Sequence, residues 1–350
     1  MPQTTQIGRK ITLNDIAASC DVSRATVSLV LRGSPLVNKH TRARIEEELR
    51  KQGYVYNRAA ANLRRRTSSS IALVINDIGN PFFAEFAAGV DEALGNSGFV
   101  TLLGSTGESS ERQQMVLSSL VEHGPGGIIL SPAEGSDSEQ VLSAIGTHTP
   151  LLLFNREPVG GRPELSHWDL LALDNQNGGR LATEHLIALG HRSIAFFGGH
   201  ADSSSCRQRR TGYVEAMQAA GLETPTALQI ECVPTRTEAA HRCAALFDDN
   251  HRPTAAVCYN DAVALGLMLG LRQLGHQPGE NFAVTGFDDI AEAALALPSL
   301  TTLSTDPRAR GRQAAGMILQ RMGDPFALAS HTVAPVQLVV RASSCPPLSS

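Results

Sequence analysis

Polar side chains that follow short apolar runs are the first candidates for chemistry in this chain. From residue 70 onward such runs alternate with helical periods, and Asp77, Asn155, Arg156, Asn260 and Asp288 each follow the end of one within two residues. Carboxylate and amide groups placed in this way offer both acceptors and donors, so they can replace the water shell of a hydroxyl-rich ligand. Each residue could equally be a helix cap or a brace, since Asp and Asn are ordinary caps.

A second set of candidates lies in TLNDIAASCDVSRATVSLVL, residues 12–31. Thr12 and Asp15 form a variant of the capping box, and Ser23 can cap a second helix. Two short helices joined by a tight turn are typical of a helix-turn-helix, whose second helix reads base edges in the major groove. The outward face of that helix carries Arg24, Ala25 and Ser28. Any small helical bundle can contain such a pair, so a structural role stays open.

The elements around this pair complete a small module. Gly33-Ser34-Pro35 interrupts the helical pattern. A third helix is predicted over residues 41–52, with Gly53 at its end. The segment RAAANLRRRTSSS that follows is basic and serine-rich, which is typical of a solvated interdomain tether.

Charge is distributed unevenly along the chain. Residues 1–66 hold 13 Lys and Arg against 5 Asp and Glu, a net charge of +8, whereas the whole chain has −4 and the remainder therefore −12. A basic head on an acidic body indicates a phosphate-binding module attached to a sensor.

Length and composition limit the remaining classes. A chain of 350 residues predicts two or three domains, and 42% hydrophobic with 18% charged residues is typical of a soluble globular protein. Apolar runs are too short to span a bilayer and the N-terminus has no signal-peptide core, so a cytoplasmic protein is expected. The six cysteines lack metal-ligand spacing, and GxxxxGK[ST], HExxH and GxSxG are absent, so we expect no metal, no cofactor and no catalytic residue.

The apolar runs themselves predict the fold. IALVI, FVTLL, GIIL and LLLF are separated by helix-like stretches, and LLAL, SIAFF, AAVC and FAVTG repeat the arrangement. This alternation favours parallel sheets with helices on both faces, in two lobes with a cleft at the carboxyl ends of the strands. The predicted fold class is an α-helical headpiece followed by a two-lobed α/β sensor.

Several motifs in the same order resemble the LacI/GalR family of bacterial transcription regulators. Besides residues 12–31 they are GYVYNRAAANL, NPFFAE, EHLIALGHRSIAFFGG, CYNDAVALG and VTGFDD, which together extend over nearly the whole chain. Within the family, VSLVLRG and EHLI look most like the maltose-regulon repressor branch. The resemblance implies a headpiece over 1–56, a hinge helix and linker over 57–69, and a periplasmic-binding-protein-like domain over 70–345 before a short tail. Its first lobe would comprise 70–170 and 304–330, and its second lobe 171–303 and 331–345.

The resemblance also implies roles in DNA binding. Arg24, Ala25 and Leu29 match the positions that read bases, although a phosphate contact is the alternative for Arg24. Leu63, in the hinge helix that begins at Asn57, matches a leucine that wedges into the minor groove. The residues that match contacts to the DNA backbone are Thr12, Ser23, Thr26, Ser28, Asn38 and Thr41.

For the cleft, the resemblance supports Asn260 and Asp288 and adds Arg209. Arg209 is expected to bond ring hydroxyls, to pair with Asp288, or to clamp a phosphate or carboxylate. The wall of the first lobe is predicted to contain Asn76, Pro81, Phe82 and Phe83. The only tryptophan, Trp168, is expected either to stack on a sugar or to lie in the core or on the surface.

The predicted function is a sequence-specific, DNA-binding regulator, a repressor, controlled by a small sugar-like effector. Two-fold symmetry is the usual way to read a near-palindromic operator, so a homodimer is expected. The tail ASSCPPLSS lacks an apolar heptad, which argues against a tail-mediated tetramer. The alternatives are a sugar-binding receptor or a sugar-metabolising protein without a regulatory role.

Overall fold

The computed structural model describes residues 11–54, 68–160, 168–248 and 252–346. The chain forms two compact units, Met1–Thr67 and Ser68–Ser350. The predicted boundary at residue 56 between headpiece and hinge, and the hinge residues Asn57 and Leu63, lie outside the described residues.

The first unit contains three short helices, α1 (Leu13–Ser19), α2 (Arg24–Leu31) and α3 (Lys39–Lys51). The predicted caps of the first two are confirmed: Thr12 and Asp15 form a reciprocal capping box, and the Ser23 hydroxyl accepts a hydrogen bond from the Thr26 N–H. The third helix begins two residues before the predicted start, because Asn38 caps it through the Thr41 N–H at 2.8 Å. A small core holds the helices together and includes Ile16, Val27, Val30 and Ile45.

The second unit alternates strands and helices, as predicted. Its strands are β1 (Ser70–Ile75), β2 (Val100–Ser105), β3 (Ile128–Leu130), β4 (Leu151–Phe154), β5 (Asp169–Leu173), β6 (Ile194–Phe197), β7 (Gln229–Ile230), β8 (Ala255–Cys258), β9 (Ala283–Thr285), β10 (Thr302–Ser304), β11 (His331–Ala334) and β12 (Gln337–Val339). Its helices are α4 (Pro81–Asn96), α5 (Ser110–Glu122), α6 (Ser138–Ile145), α7 (Asn175–Ala188), α8 (Ser204–Ala219), α9 (Arg236–Arg242), α10 (Asp261–Gln273), α11 (Ala291–Leu295) and α12 (Pro307–Gly323). Short 3₁₀ turns cover Thr226–Leu228 and Cys243–Phe247.

The strands form two parallel sheets, one in each lobe. The first lobe has the order β11-β5-β4-β3-β1-β2 and the second has β7-β6-β8-β9, while β10 and β12 pair antiparallel where the chain crosses between lobes. Parallel strands aim their carboxyl ends in one direction, so the loops after them gather at one edge of each sheet. The sheets therefore place two sets of loops where a ligand can lie between lobes.

The predicted division into lobes needs correction. Strand β5 pairs with β4, and β11 pairs with β5 from His331↔Leu170 onward, so both strands belong to the first sheet. The predicted boundary between residues 170 and 171 cuts through β5, and a second lobe resuming at 331 would take β11 from the first sheet. The run LLAL looks like the start of a second repeat, but its partners are decided by sheet pairing, which the local pattern does not contain.

Buried strands and apolar helix faces form the core, and the cysteines form no disulfide. Strand β1 is buried from Ile71 to Ile75, as expected of a parallel strand covered on both faces. All six cysteines are free thiols. Across the described ranges, no helix combines the length and the apolar composition needed to cross a bilayer.

Candidate functional site: a cleft between the lobes

A cavity of about 250 Å³ lies between the carboxyl ends of the two parallel sheets. From the first lobe it is lined by loops after β1, β2 and β4 and by the start of α4, and from the second by α8 and by loops after β7, β8 and β9. Its lining residues are Asp77, Asn80, Phe82, Phe83, Gly107, Glu108, Asn155, Arg156, Arg209, Val233, Pro234, Thr235, Tyr259, Asn260 and Asp288.

The structure brings together most of the residues that the sequence predicted for an effector. Asp77, Phe82, Phe83, Asn155, Arg209, Asn260 and Asp288 all line the cavity. Asn76 does not: it is fully buried behind the wall, where its amide donates to Glu108 and to the Pro132 carbonyl, each at 3.0 Å. Asn76 is therefore not part of the cavity wall, contrary to the prediction. Successive side chains along an extended chain point to opposite sides, so Asp77 faces the cavity and Asn76 faces the interior. Trp168 packs against the apolar cluster of the first lobe and is not among the lining residues.

Asp288 is a strained residue with an unengaged carboxylate. Its φ is +126°, which L residues rarely adopt, and its backbone is fixed by the Leu303 carbonyl at 2.9 Å and the Thr305 hydroxyl at 3.2 Å. Within the described part of the chain its carboxylate has no hydrogen-bond partner, and burial raises its pKa well above the ordinary range, with Arg209 opposing that effect. A strained, clamped backbone that aims an open acceptor at a cavity is suited to ligand recognition.

Asp261 holds the loop that carries Asp288. Its carboxylate accepts hydrogen bonds from the Ile290 N–H at 2.9 Å and from the Thr302 hydroxyl, and its own N–H donates to the Phe287 carbonyl at 2.8 Å. Burial raises the pKa of Asp261 to about 6, against the opposing hydrogen bonds.

Arg209 is buried, with 3% of its surface exposed, and only partly engaged. Its Nε donates to Asn175 at 2.9 Å and one terminal nitrogen donates to the Tyr259 carbonyl at 2.6 Å, while the guanidinium carbon lies 3.5 Å from the centre of the Phe287 ring. Three of its five N–H groups have no acceptor among the residues that the structure describes. The predicted pairing with Asp288 is not present as an ion pair in that same part of the chain, so both groups remain open to a ligand.

The two cavity asparagines combine capping or bracing with exposure to the cavity. Asn260 caps α10, because its side-chain oxygen accepts from the Val263 N–H at 2.9 Å. Asn155 has φ +61° and accepts from the Asn175 amide at 3.1 Å, which links the two lobes. In each case the oxygen is occupied and the amide nitrogen is left as a donor. The structural and functional interpretations of these residues are therefore compatible.

Aromatic rings form the apolar part of the wall. Phe82 and Phe83, in the first turn of α4, make an edge-to-face contact at 5.0 Å, and Phe82 stacks at 6.0 Å on Phe154 at the end of β4. Asn80 and Pro81 start the helix at this point, since Asn80 caps it and proline is favoured at a first helical position. Aromatic rings beside polar groups in one cavity suit a ligand that has both apolar and polar faces.

The sequence did not single out every residue of the site. Glu108 follows β2 directly after Gly107 and pairs with Arg156 through two hydrogen bonds, at 2.7 and 3.0 Å. Extending the search for polar residues after each apolar run along FVTLLGSTGE would have found Glu108. Val233, Pro234 and Thr235 gave no such signal, because they follow a strand of only two residues.

The predicted DNA-contacting residues of the first unit lie on its surface to differing degrees. Arg24 and Ala25 are exposed at the start of α2, whereas Ser28 and Leu29 are half-buried, and Leu29 also packs against the small core. Thr12, Ser23 and Asn38 are exposed caps, and Thr26 and Thr41 are half-buried beside them. One exposed cation at the N-terminal end of the second helix is the side chain best placed to reach a base edge.

Comparison with known proteins agrees with this architecture. Residues 12–57 match the family described as bacterial regulatory proteins, lacI family, and residues 183–344 match a periplasmic binding protein-like domain. The maltose regulon regulatory protein MalI of Escherichia coli (strain K12) is 31% identical over 340 residues, 95% of this chain and 98% of that protein.

Solved structures cover the chain equally well. A lac repressor dimer bound to operator and the anti-inducer ONPF has a TM-score of 0.84 and 24% identity over 96% of this chain and 100% of its own, which is a likeness of fold. The transcriptional regulator CelR in complex with cellobiose has a TM-score of 0.72 and 29% identity over 95% of this chain and 100% of its own. The chain belongs to the LacI family of bacterial regulatory proteins.

Proposed function

We propose that this protein is a dimeric transcriptional repressor whose operator affinity is controlled by a small sugar-like effector bound between the lobes. The observation that carries the proposal is a cavity lined from both sheets by open polar groups, in a chain that also holds a helix-turn-helix with an exposed arginine. A regulator of this kind acts in the cytoplasm, on the nucleoid.

The chemistry of the lining favours a polyhydroxylated effector. Arg209 and the amide nitrogens of Asn155 and Asn260 offer donors, while Asp77 and Asp288 offer acceptors, so a ligand carrying several hydroxyls can satisfy both. The rings of Phe82 and Phe83 would cover one apolar face of the sugar.

The relatives support this class of function. MalI is named for the regulation of the maltose regulon, and CelR was solved with cellobiose. The lac repressor was solved as a dimer on its operator, which supports two-fold binding to a near-palindromic site.

For DNA, we infer that Arg24, Ala25 and Leu29 read bases, with Arg24 forking onto a guanine. Thr12, Ser23, Thr26, Ser28, Asn38 and Thr41 would contact the DNA backbone, and Asn57 and Leu63 would act in the hinge. Arg24 is the member of this set whose exposure and position favour a base contact most directly.

The proposed mechanism is a population shift. The effector binds one arrangement of the lobes more tightly than another, and operator affinity changes by as much as that difference in binding free energy. Contacts such as Asn155 to Asn175, which join the lobes beside the cavity, are the ones that such a rearrangement would change.

The test is operator binding in the presence of sugars. Purified protein is titrated onto DNA from upstream of its own coding sequence by fluorescence anisotropy, with a panel of mono- and disaccharides added in turn. One sugar should change the operator Kd by about 5- to 150-fold without being consumed, and the direction of the change identifies an inducer or a corepressor. A sugar that binds and leaves operator affinity unaltered would favour a receptor, and turnover of the sugar would favour an enzyme.

A further inference from the structure

Arg156 has no donor left for a ligand, although it lines the cavity. Its Nε donates to Ser205 at 3.2 Å, one terminal nitrogen donates to Glu108 at 2.7 Å and to the Pro132 carbonyl at 3.3 Å, and the other donates to Glu108 at 3.0 Å and to the Tyr259 hydroxyl at 2.9 Å. A guanidinium carries five N–H donors, so all five are engaged.

The pair of Arg156 and Glu108 is removed from solvent. Arg156 is 5% exposed and the Glu108 side chain 16%, and Glu108 also accepts from Asn76 at 3.0 Å. Burial by itself would lower the pKa of Arg156, but the oxygens of Tyr259 and Glu108 outweigh it and raise that pKa. Arg156 is therefore a cation whose charge is already balanced within the cavity wall.

A second carboxylate, that of Glu134, interacts electrostatically with both Glu108 and Arg156. Burial, and then the charge of Glu108, raise the pKa of Glu134, while Arg156 opposes them. One carboxylate oxygen of Glu134 is buried without a hydrogen-bond partner among the described residues. An anion arriving beside Arg156 would thus meet the Glu108 carboxylate bound to it and the electrostatic influence of Glu134.

We propose that Glu108, supported by Glu134, occupies Arg156 and thereby makes the cleft select uncharged effectors over anionic ones such as sugar phosphates and sugar acids. The inference rests on the cleft being the effector site. An anionic group must displace the Glu108 carboxylate to reach Arg156, and it leaves that carboxylate buried and unpaired, which is costly. A hydroxyl brings no charge and needs only the open groups of Arg209 and Asp288.

The test uses sulfate as a minimal anion, because its charge does not titrate near neutral pH. Sulfate binding to the full-length protein is measured by isothermal titration calorimetry for wild type, for Glu108→Gln and for Glu108→Gln with Glu134→Gln. Both variants should bind sulfate more tightly than wild type, the double variant by about tenfold or more, because Arg156 regains donors for a charge-assisted bidentate contact. Adding Arg156→Gln to the double variant should remove the gain.

Two controls separate the cleft from other sites. Glu122→Gln, which removes the same charge from the exposed end of α5, should bind sulfate as wild type does. Thermal melting reports whether each variant folds. If the double variant does not fold, Glu108→Asp takes its place: it keeps the charge but withdraws the carboxylate from Arg156, and it should give a smaller gain in sulfate affinity.

Unchanged sulfate affinity in the folded Glu108 variants overturns the proposal, and so does a gain that survives the loss of Arg156. Neither measurement involves operator DNA, so a failure here is distinct from a failure of sugar-controlled operator binding. A wild-type cleft that preferred glucose 6-phosphate to glucose in the same calorimeter would also overturn the proposal.

Discussion

Two buried arginines line one cavity, and the number of donors that each has left gives them different tasks. Arg156 donates every N–H to Glu108, Ser205, Tyr259 or a carbonyl. Arg209 donates two and has three without an acceptor in the described part of the chain. Because a buried guanidinium without acceptors is costly, Arg209 gains most from a ligand. Residue type alone does not separate the two; the surrounding acceptors do.

The first prediction concerns Arg209. Arg209→Lys should weaken effector binding by about 10- to 100-fold, since a hydrogen bond to a charged group contributes about 1.5–3 kcal/mol and an ammonium cannot reproduce the fork. Calorimetry with the sugar identified by the operator screen measures the loss. Arg207→Lys, the same substitution at an exposed position of the same helix, is the control and should have no effect. Equal losses in the two variants would remove Arg209 from the site.

The second prediction concerns Asp261 and pH. A pKa near 6 in the folded protein, against 3.8 ordinarily, means that the folded state holds the proton more tightly. The corresponding stabilisation of about 3 kcal/mol is fully present below pH 4 and is lost as the pH rises through 6. Urea unfolding should therefore show wild type losing about this much stability relative to Asp261→Asn between pH 4 and pH 7. A stability difference that does not vary with pH would contradict the assignment.

The third prediction concerns Arg24. If its guanidinium forks onto a guanine, Arg24→Ala should relax the preference at one base pair of each half-site by about 1–3 kcal/mol. Binding to a library of single-base operator variants measures this. Uniform weakening over all sequences would instead indicate a phosphate contact.

At the scale of elements, glycines allow the helices that carry the site to approach closely. A Cβ on Gly179 of α7 would lie 2.0 Å from the backbone oxygen of Arg209 on α8, and one on Gly212 would lie 1.9 Å from the oxygen of Gln176. The first lobe has the same kind of contact between Gly89 of α4 and Arg308 of α12, at 2.1 Å. In the second lobe, the close contact at Gly179 fixes the position of the Arg209 backbone, from which its side chain extends into the site.

The fourth prediction follows from that contact. Gly179→Ala should push α8 away and move Arg209, so we expect both a lower melting temperature and a weaker effector response in operator binding. Gly316→Ala on α12 is the matched control, because nothing lies within 4 Å of its Cβ and the change should be neutral or stabilising by up to about 1 kcal/mol. An unaffected Gly179 variant would show that the helices can part without disturbing the site.

At the scale of the whole molecule, the distribution of charge distinguishes DNA binding from effector binding. Residues 1–66 carry +8 and the remaining residues −12, so the basic headpiece is attached to an acidic body. Binding to DNA releases counterions from phosphates, whereas binding of an uncharged ligand to the cleft releases none.

The fifth prediction is a difference in salt dependence. Raising the salt concentration from 50 to 200 mM should lower operator affinity by orders of magnitude while sugar affinity stays nearly constant. Anisotropy for the operator and calorimetry for the sugar measure the two in the same buffers. A sugar affinity that fell in parallel with operator affinity would imply a charged effector.

Local patterns determined the helix pair with its caps, the parallel strands and most of the polar residues at their ends. Thr12, Ser23 and the buried run of β1 follow from capping and hydrophobic periodicity, which act over a few residues. Family motifs added Arg209, Phe82 and Phe83 to the cleft. Base reading by Arg24 and the hinge roles of Asn57 and Leu63 remain predictions.

What the tertiary structure decided depends on partners distant in the sequence. The membership of β11 in the first sheet follows from its pairing with β5 across more than 150 residues. Asn76 faces inward because Glu108 and a carbonyl accept its amide. All five N–H groups of Arg156 find acceptors only because the folded chain brings residues 108, 132, 205 and 259 within hydrogen-bond distance. The sequence by itself thus determined which groups are available for chemistry, and the fold determined which of them are already engaged, because hydrogen bonding and burial are properties of the assembled neighbours.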